Sequence, residues 1–154
     1  MINWINNRFG TNFKEAEIES IKDFSLIWNI FERYVCNNNF TIDRAENEIS
    51  VKKIDIAKFQ THLDYFKSRY TENGNVNHRF AHLNFRANDR QQLVNDVLLG
   101  GVAKPNQVIL ALVIIVYRYR NNLFHGIKDI QLIDQQNENF EIANSFLTTL
   151  LDYF

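Results

Sequence analysis

The longest uninterrupted apolar run in the chain covers nine residues, 108–116. Lys104 and Pro105 precede it, and proline suits the first turn of a helix because its missing N–H is not needed there. Apolar and amphiphilic residues continue towards Phe124, which is too long for a typical strand and about right for a helix. The pattern therefore predicts a central helix. A helix that is apolar all round must be buried all round.

Three other segments have apolar residues at the 3.6-residue spacing of an amphipathic helix, at about residues 13–36, 49–70 and 139–154. Thr11 or Asn12 is the expected cap of the first helix, and Asn137 or Asn139 that of the last. A shorter helix is predicted to start at Asn88, because Gln91 three residues later fits a capping box. The pair Gly100-Gly101 ends it, since glycine adopts the left-handed C-cap conformation at little cost.

The remaining segments indicate less regular structure. Residues 1–12 predict a lead-in or a short helix, and residues 40–50 predict a loop with about one helical turn. Residues 71–79 predict a loop around Asn73-Gly74, residues 80–85 are a short apolar stretch, and residues 129–139 are a polar connection. The expected fold is all-α.

Length and composition agree with one helical domain that spans residues 1–154. A chain of this length can bury a sizeable core, and one proline and five glycines favour helices over a turn-rich all-β fold. Since a four-helix monomer leaves part of an apolar helix exposed, we expect a dimer interface to cover the rest.

Charge and cysteine content limit the classes of function. The formal net charge of −1 does not by itself indicate a nucleic-acid-binding protein, although a local basic patch can supply phosphate contacts. Cys36 is the only cysteine, so no disulfide framework and no Cys-based zinc site forms within one chain. The N-terminus lacks the apolar region of a signal peptide, and nine apolar residues are too few to span a bilayer. We expect a cytoplasmic protein without membrane contact.

Polar and basic residues collect at the end of the predicted central helix: Arg118, Arg120, Asn121, Asn122, His125 and Lys128. Residues 97–128 contain no acidic residue. His125 can act as a general acid or base, and Arg120 can hold a phosphate through two hydrogen bonds. Asn121 and His125 are four positions apart and share a helix face, so Asn121 can orient the imidazole or a ligand oxygen. This chemistry fits a phosphodiester. The alternative is that the cations only complement the helix dipole.

The stretch RNNLFHG resembles the Arg-x4-His motif of the HEPN superfamily (higher eukaryotes and prokaryotes nucleotide-binding domains). Arg120, Asn121 and His125 match the motif residue by residue, and Phe124, Gly126 and Lys128 are similar to residues of bacterial defence-associated members. The resemblance implies an all-α, HEPN-like bundle of four to six helices that forms a two-fold dimer. Ile127 stands where many toxins of the family carry a tyrosine, so control through nucleotide transfer to that position is not expected.

The resemblance also implies a function: a metal-independent endoribonuclease, acting as a toxin or phage-defence effector at a cleft between two copies. Arg120 and His125 would be catalytic and Asn121 would assist them, while Tyr117, Arg118 and Lys128 would contact RNA beside the cleft. We expect no cofactor and no metal. The expected partners are RNA, a second copy, and an antitoxin or defence-system protein. The alternative is a non-catalytic helical dimer that binds nucleotide or a partner protein.

The other three histidines are not predicted to be catalytic. His78 and His82 are four apart, as metal ligands on a helix can be, but no third ligand is fixed nearby. A solvated histidine pair is the preferred interpretation. His62 is expected on a helix surface.

Overall fold

The computed structural model describes residues 1–124 and 136–154. Within them, two-residue strands β1 (Thr71–Glu72) and β2 (Asn75–Val76) form a small antiparallel hairpin, and a 3-10 helix covers Ile56–Phe59. The helices are α1 (Ile2–Phe9), α2 (Glu15–Cys36), α3 (Ile42–Ser50), α4 (Gln60–Tyr70), α5 (His78–Ala81), α6 (Gln91–Leu98), α7 (Pro105–Phe124) and α8 (Asn137–Leu151). The all-α class is confirmed. The described residues contain eight α-helices rather than four to six, and four of them, α1, α3, α5 and α6, are short, with nine residues or fewer.

Helix α7 is the centre of the core. Every side chain from residue 108 to residue 116 is between 0 and 3% exposed. Helices α3 and α6 pack directly against α7, while α8 lies along α2. The predicted central helix is therefore confirmed. The expectation that part of the apolar helix stays exposed in a monomer, from which we predicted a dimer interface, is wrong. A single chain covers the whole apolar stretch of α7 with its own helices.

Aromatic residues join α2 to its neighbours. The ring of Phe24 on α2 lies 5.0 Å from that of Phe140 on α8, measured between centroids. In the middle of α8, the side-chain amide of Asn144 donates a hydrogen bond to the carbonyl oxygen of Ser20, at 2.8 Å. The periodic apolar stripes of both helices thus face each other, as their spacing predicts.

The segment at 40–50 differs from the sequence prediction, because residues 42–50 are the helix α3. The Thr41 hydroxyl accepts a hydrogen bond from the backbone N–H of Arg44, at 3.1 Å, which caps the helix. Ala45 and Ile49, four positions apart, are buried against the core. The cap and these two buried side chains thus tie to the core a helix whose sequence is mostly polar.

The helix predicted over 49–70 is interrupted. Asp55 accepts a hydrogen bond from the backbone N–H of Ala57, at 3.1 Å, and starts the 3-10 helix that leads into α4. Helix α4 itself begins only at Gln60. The aspartate provides a local capping bond that competes with continuous helix, which periodicity does not reveal.

Helix α6 begins at Gln91, so Asn88 is not its cap. The preceding residue, Arg90, has a φ of 53°, in the left-handed region. The Asp89 carboxylate accepts instead from the backbone N–H of Arg86, at 2.8 Å, and closes a turn before the helix. The predicted end of this helix is confirmed, since Gly100 has a φ of 81°.

His62 is buried on α4, so the expectation that it lies on the surface is wrong. Its side chain is 5% exposed, and its Nε2 lies 3.0 Å from the hydroxyl of Ser145 on α8. The rings of Phe59 and Phe146 pack against it, with centroids 5.9 and 5.8 Å away. Burial lowers the pKa of His62 below 6.5, its ordinary value.

In the described ranges, no helix is both long and apolar enough to cross a membrane.

The burial of α8 predicts a large effect of shortening a core side chain. Leu150 is completely buried, whereas Leu26 on α2 is 65% exposed. Leu150→Ala should lower the free energy of unfolding by about 2–5 kcal/mol, and the control Leu26→Ala should change it by less than about 0.5 kcal/mol. Urea denaturation measures both values. Equal effects of the two substitutions would contradict the packing of α8.

The buried His62 predicts a loss of stability in mild acid. As pH falls below 6.5, the unfolded chain binds a proton that the folded protein takes up only at its lower pKa, so the free energy of unfolding decreases over that window. His62→Gln should remove this part of the pH dependence. Denaturant titrations from about pH 7.5 to 5.5, a range set around the ordinary histidine pKa, test it, with the exposed His82→Gln as control. An unchanged slope in His62→Gln would sink the prediction.

Candidate functional site

The last turn of α7 holds Arg120 and Asn121 in contact with each other. The Arg120 Nη1 donates a hydrogen bond to the Asn121 Oδ1, at 3.1 Å. Asn121 is 1% exposed, while Arg120 is half-buried. A fixed amide oxygen on a guanidinium limits the orientations that the arginine adopts. Asn121 is therefore placed to position Arg120.

The amide nitrogen of Asn121 is buried and has no hydrogen-bond partner among the described residues. An unsatisfied buried donor costs about 1–3 kcal/mol. From the sequence, Asn121 was expected to orient the imidazole or a ligand oxygen. In the structure, its side-chain oxygen instead accepts a hydrogen bond from Arg120.

The predicted catalytic His125 and the predicted RNA-binding Lys128 lie outside the described residues, as does Gly126. The structure brings Arg120 and Asn121 together at the end of α7. It describes no distance from either residue to the imidazole.

Arg118 does not face solvent, so its predicted role in binding RNA is corrected. Its side chain is 1% exposed, and its Nη1 lies 2.9 Å from the Asp89 carboxylate, an ion pair without the alignment of a hydrogen bond. Its Nε and Nη2 donate to the carbonyl oxygens of Leu83 and Asn84, at 3.0 and 2.6 Å. Through these contacts, the Arg118 guanidinium holds α7 to the segment of residues 83–89.

Tyr117 lies in an aromatic cluster on the side of α7 that faces α2. Its ring centroid is 4.4 Å from that of Phe40 and 6.0 Å from that of Trp28. It also borders a surface pocket whose lining includes Asp43 and Asp89, which form ion pairs with Arg90 and Arg118. Packing accounts for this tyrosine, and its contact with RNA stays a prediction.

Asn122 is a structural residue of this region that the sequence analysis did not use. Its side-chain nitrogen donates to the carbonyl oxygens of His82 and Leu83, at 3.1 and 3.3 Å. Arg118 lies four positions earlier on α7 and donates to Leu83 and Asn84. The i, i+4 spacing of Arg118 and Asn122 indicates that these two donors share one helix face. The sequence does not show which groups accept their hydrogen bonds.

A second cluster of polar side chains inside the protein joins α4, α7 and α8. The hydroxyls of Tyr70 and Tyr119 are 2.6 Å apart, and Asn139 accepts from the hydroxyl of Tyr65 at 2.8 Å and from that of Tyr119 at 3.4 Å. Burial raises the pKa of Tyr119 well above its ordinary value, so its hydroxyl keeps the proton. These bonds fix the end of α7 relative to the start of α8.

The histidine pair at His78 and His82 has rings in edge-to-face contact, with centroids 6.2 Å apart. Both side chains are exposed. No group of three or more potential metal ligands occurs in residues 1–124 or 136–154.

No protein-family model, curated protein or solved structure matches this chain. The HEPN resemblance therefore rests on the Arg120–His125 motif and the helical pattern alone.

Arg118 predicts a large loss of stability when it is replaced. Arg118→Met leaves the buried Asp89 without its counterion, and removing one partner of a buried pair costs about 3–5 kcal/mol. The exposed Arg86→Met should change the free energy of unfolding by less than about 0.5 kcal/mol. Adding Asp89→Asn to Arg118→Met should recover part of the loss, because the unpaired charge is gone. Equal unfolding midpoints for Arg118→Met and Arg86→Met would show that the ion pair does not hold the loop.

Proposed function

We propose that this chain is a cytoplasmic, metal-independent endoribonuclease of the HEPN type, which cuts RNA at the end of α7. The observation that supports it best is the Arg120 guanidinium held by the buried Asn121 amide. This pair lies in a stretch, residues 97–128, without any acidic residue. A guanidinium that a neighbouring amide holds in position is suited to binding a phosphate anion.

In the proposed reaction, His125 accepts the proton of an RNA 2′-hydroxyl. The 2′-oxygen forms a bond to the adjacent phosphorus, and the bond from phosphorus to the 5′-oxygen breaks. The leaving oxygen takes up a proton from a general acid, so the products are a 2′,3′-cyclic phosphate end and a 5′-hydroxyl end. Arg120 stabilises the negative charge that builds up on the non-bridging oxygens. Asn121 holds the guanidinium in place, so little reorganisation is needed during the reaction.

A two-fold dimer is part of the proposal, because a second Arg120 would add to the positive field at the cleft. The burial of α7 gives no reason for it, so its interface must use another surface. On α2, the exposed side chains of Leu26 and Tyr34 are apolar surface that a second copy can cover. An antitoxin or defence-system protein is proposed as a further partner that restrains or directs the activity.

One observation favours the second candidate, a non-catalytic helical module that binds nucleotide or a partner protein. Arg118, Asn121 and Asn122 are all buried, and Arg118 and Asn122 bond to backbone carbonyls. Much of the polar cluster thus holds the fold together. A fold built on such residues would keep them whether or not it cleaves RNA.

RNA cleavage in the presence of EDTA separates the two candidates. The wild type should cleave and leave cyclic-phosphate ends, and Arg120→Ala and His125→Ala should each cut at least about a hundredfold more slowly, as expected for the loss of an acid–base or charge-stabilising group. Arg33→Ala, an exposed arginine on α2, is the matched control and should cleave like the wild type.

Cleavage that persists in His125→Ala would refute the catalytic assignment. If the wild type and all variants are folded and leave RNAs of varied structure intact, the non-catalytic module becomes the better account. A monomer mass by light scattering at micromolar protein would overturn the dimer without touching the cleavage result.

A further inference from the structure

A second basic surface lies next to the end of α7, in a segment that we call the basic turn, residues 78–86. Its positively charged or ionisable side chains are all exposed: His78, Arg79, His82 and Arg86. Between Glu72 and Asp89 the chain has no acidic residue. The chain as a whole is nearly neutral, so this concentration of basic side chains in one exposed segment is a local feature.

The basic turn is fastened to α7 at its backbone. Its carbonyl oxygens at His82, Leu83 and Asn84 accept four hydrogen bonds from the side chains of Arg118 and Asn122. The Leu83 side chain is buried in the core, while those of His82 and Asn84 are exposed. The backbone of the turn thus faces α7, and the exposed side chains lie at a fixed position relative to the helix end.

The nearest acidic side chain does not cancel the charge of the basic turn. Asp89 is buried and paired with Arg118, so its negative charge is already compensated inside the protein. Burial lowers the pKa of Arg118, and the positive charge of Arg86 adds to this lowering. Arg86 is therefore close enough to Arg118 for their charges to interact. The electrostatic field of the basic turn towards solvent therefore comes from its exposed arginines, Arg79 and Arg86.

The basic turn and Arg120 lie on two sides of the same helix end. Asn122, which contacts the turn, follows Arg120 by two positions, or about 200° around a helix. One phosphate cannot contact both sides, because the helix lies between them. A strand that carries several phosphates can contact both.

We propose that the basic turn binds the phosphodiester backbone of the RNA substrate while Arg120 contacts the phosphate that reacts. This inference deepens the proposed ribonuclease function and rests on it. It assigns the substrate as an oligonucleotide rather than a mononucleotide, with Arg79 and Arg86 as the main backbone contacts. Such contacts position the RNA without reading its sequence.

Binding and cleavage are measured separately to test it. A fluorescently labelled single-stranded RNA is titrated with His125→Ala protein, and anisotropy is followed at several salt concentrations. Adding Arg79→Gln and Arg86→Gln should weaken binding about tenfold at low salt and reduce the slope of log K against log salt by about 1.4, for two lost phosphate contacts. Adding Arg8→Gln and Arg33→Gln changes the net charge equally, at exposed sites on α1 and α2, and should weaken binding much less.

A conservative variant separates charge from structure. Arg79→Lys with Arg86→Lys should retain most of the binding, because a backbone contact requires charge more than it requires the guanidinium shape. A mononucleotide should compete poorly with the labelled RNA. Thermal unfolding of every variant checks that these exposed substitutions leave the fold intact.

Equal affinity of the Arg79→Gln/Arg86→Gln and Arg8→Gln/Arg33→Gln proteins would overturn the role of the basic turn, even if the wild type cleaves RNA. Absence of RNA binding by the His125→Ala protein would overturn it as well. Selective loss of binding in the basic-turn variant, with no cleavage by the wild type, would support the binding surface and count against the ribonuclease.

Discussion

The rest of the structure depends on the complete burial of the apolar part of α7. Nine consecutive apolar residues cannot face water on any side, so helices must surround them. Helices α3 and α6 pack on α7, and the aromatic stripes of α2 and α8 close the core beside it. This arrangement fixes the direction in which α7 leaves the core. The position of the polar residues at its end follows from that direction.

Along α7, the apolar residues up to Val116 give way to polar ones within two turns. Beyond Val116, hydrogen bonds and an ion pair of buried polar side chains hold the helix in place. Tyr119 bonds to Tyr70, and Arg118 and Asn122 bond to the loop at 82–84. Buried polar groups stabilise a structure only when they are paired. Because partners come from α4 and from the loop before α6, the end of α7 is held on more than one side. A rigid end is what a site for a reacting phosphate requires.

The same contacts connect the two surfaces that we assign to RNA. Arg118 neutralises Asp89 and fastens the basic turn, so a residue that never reaches solvent determines where Arg79 and Arg86 lie. Asn121 has the corresponding effect on Arg120. In both cases a buried side chain positions an arginine that is exposed or half-exposed. The proposed ribonuclease would thus depend on interior residues as much as on those that touch the substrate.

The sequence alone determined the all-α class and the helix α7, because periodicity, an unbroken apolar run and a proline at its start are local properties. It also singled out Arg120 and Asn121 as site residues, although it expected Asn121 to orient the imidazole or a ligand oxygen, whereas the Asn121 oxygen accepts a hydrogen bond from Arg120. Only the tertiary structure decided which polar residues face inward. Arg118 and Arg120 look alike in sequence, yet one is buried because its partners, Asp89 and the carbonyls at 83 and 84, come from about 30 residues earlier in the chain. His62 is buried for the same reason, through Ser145 on α8. Such partners are brought together by packing between helices, which no local pattern encodes.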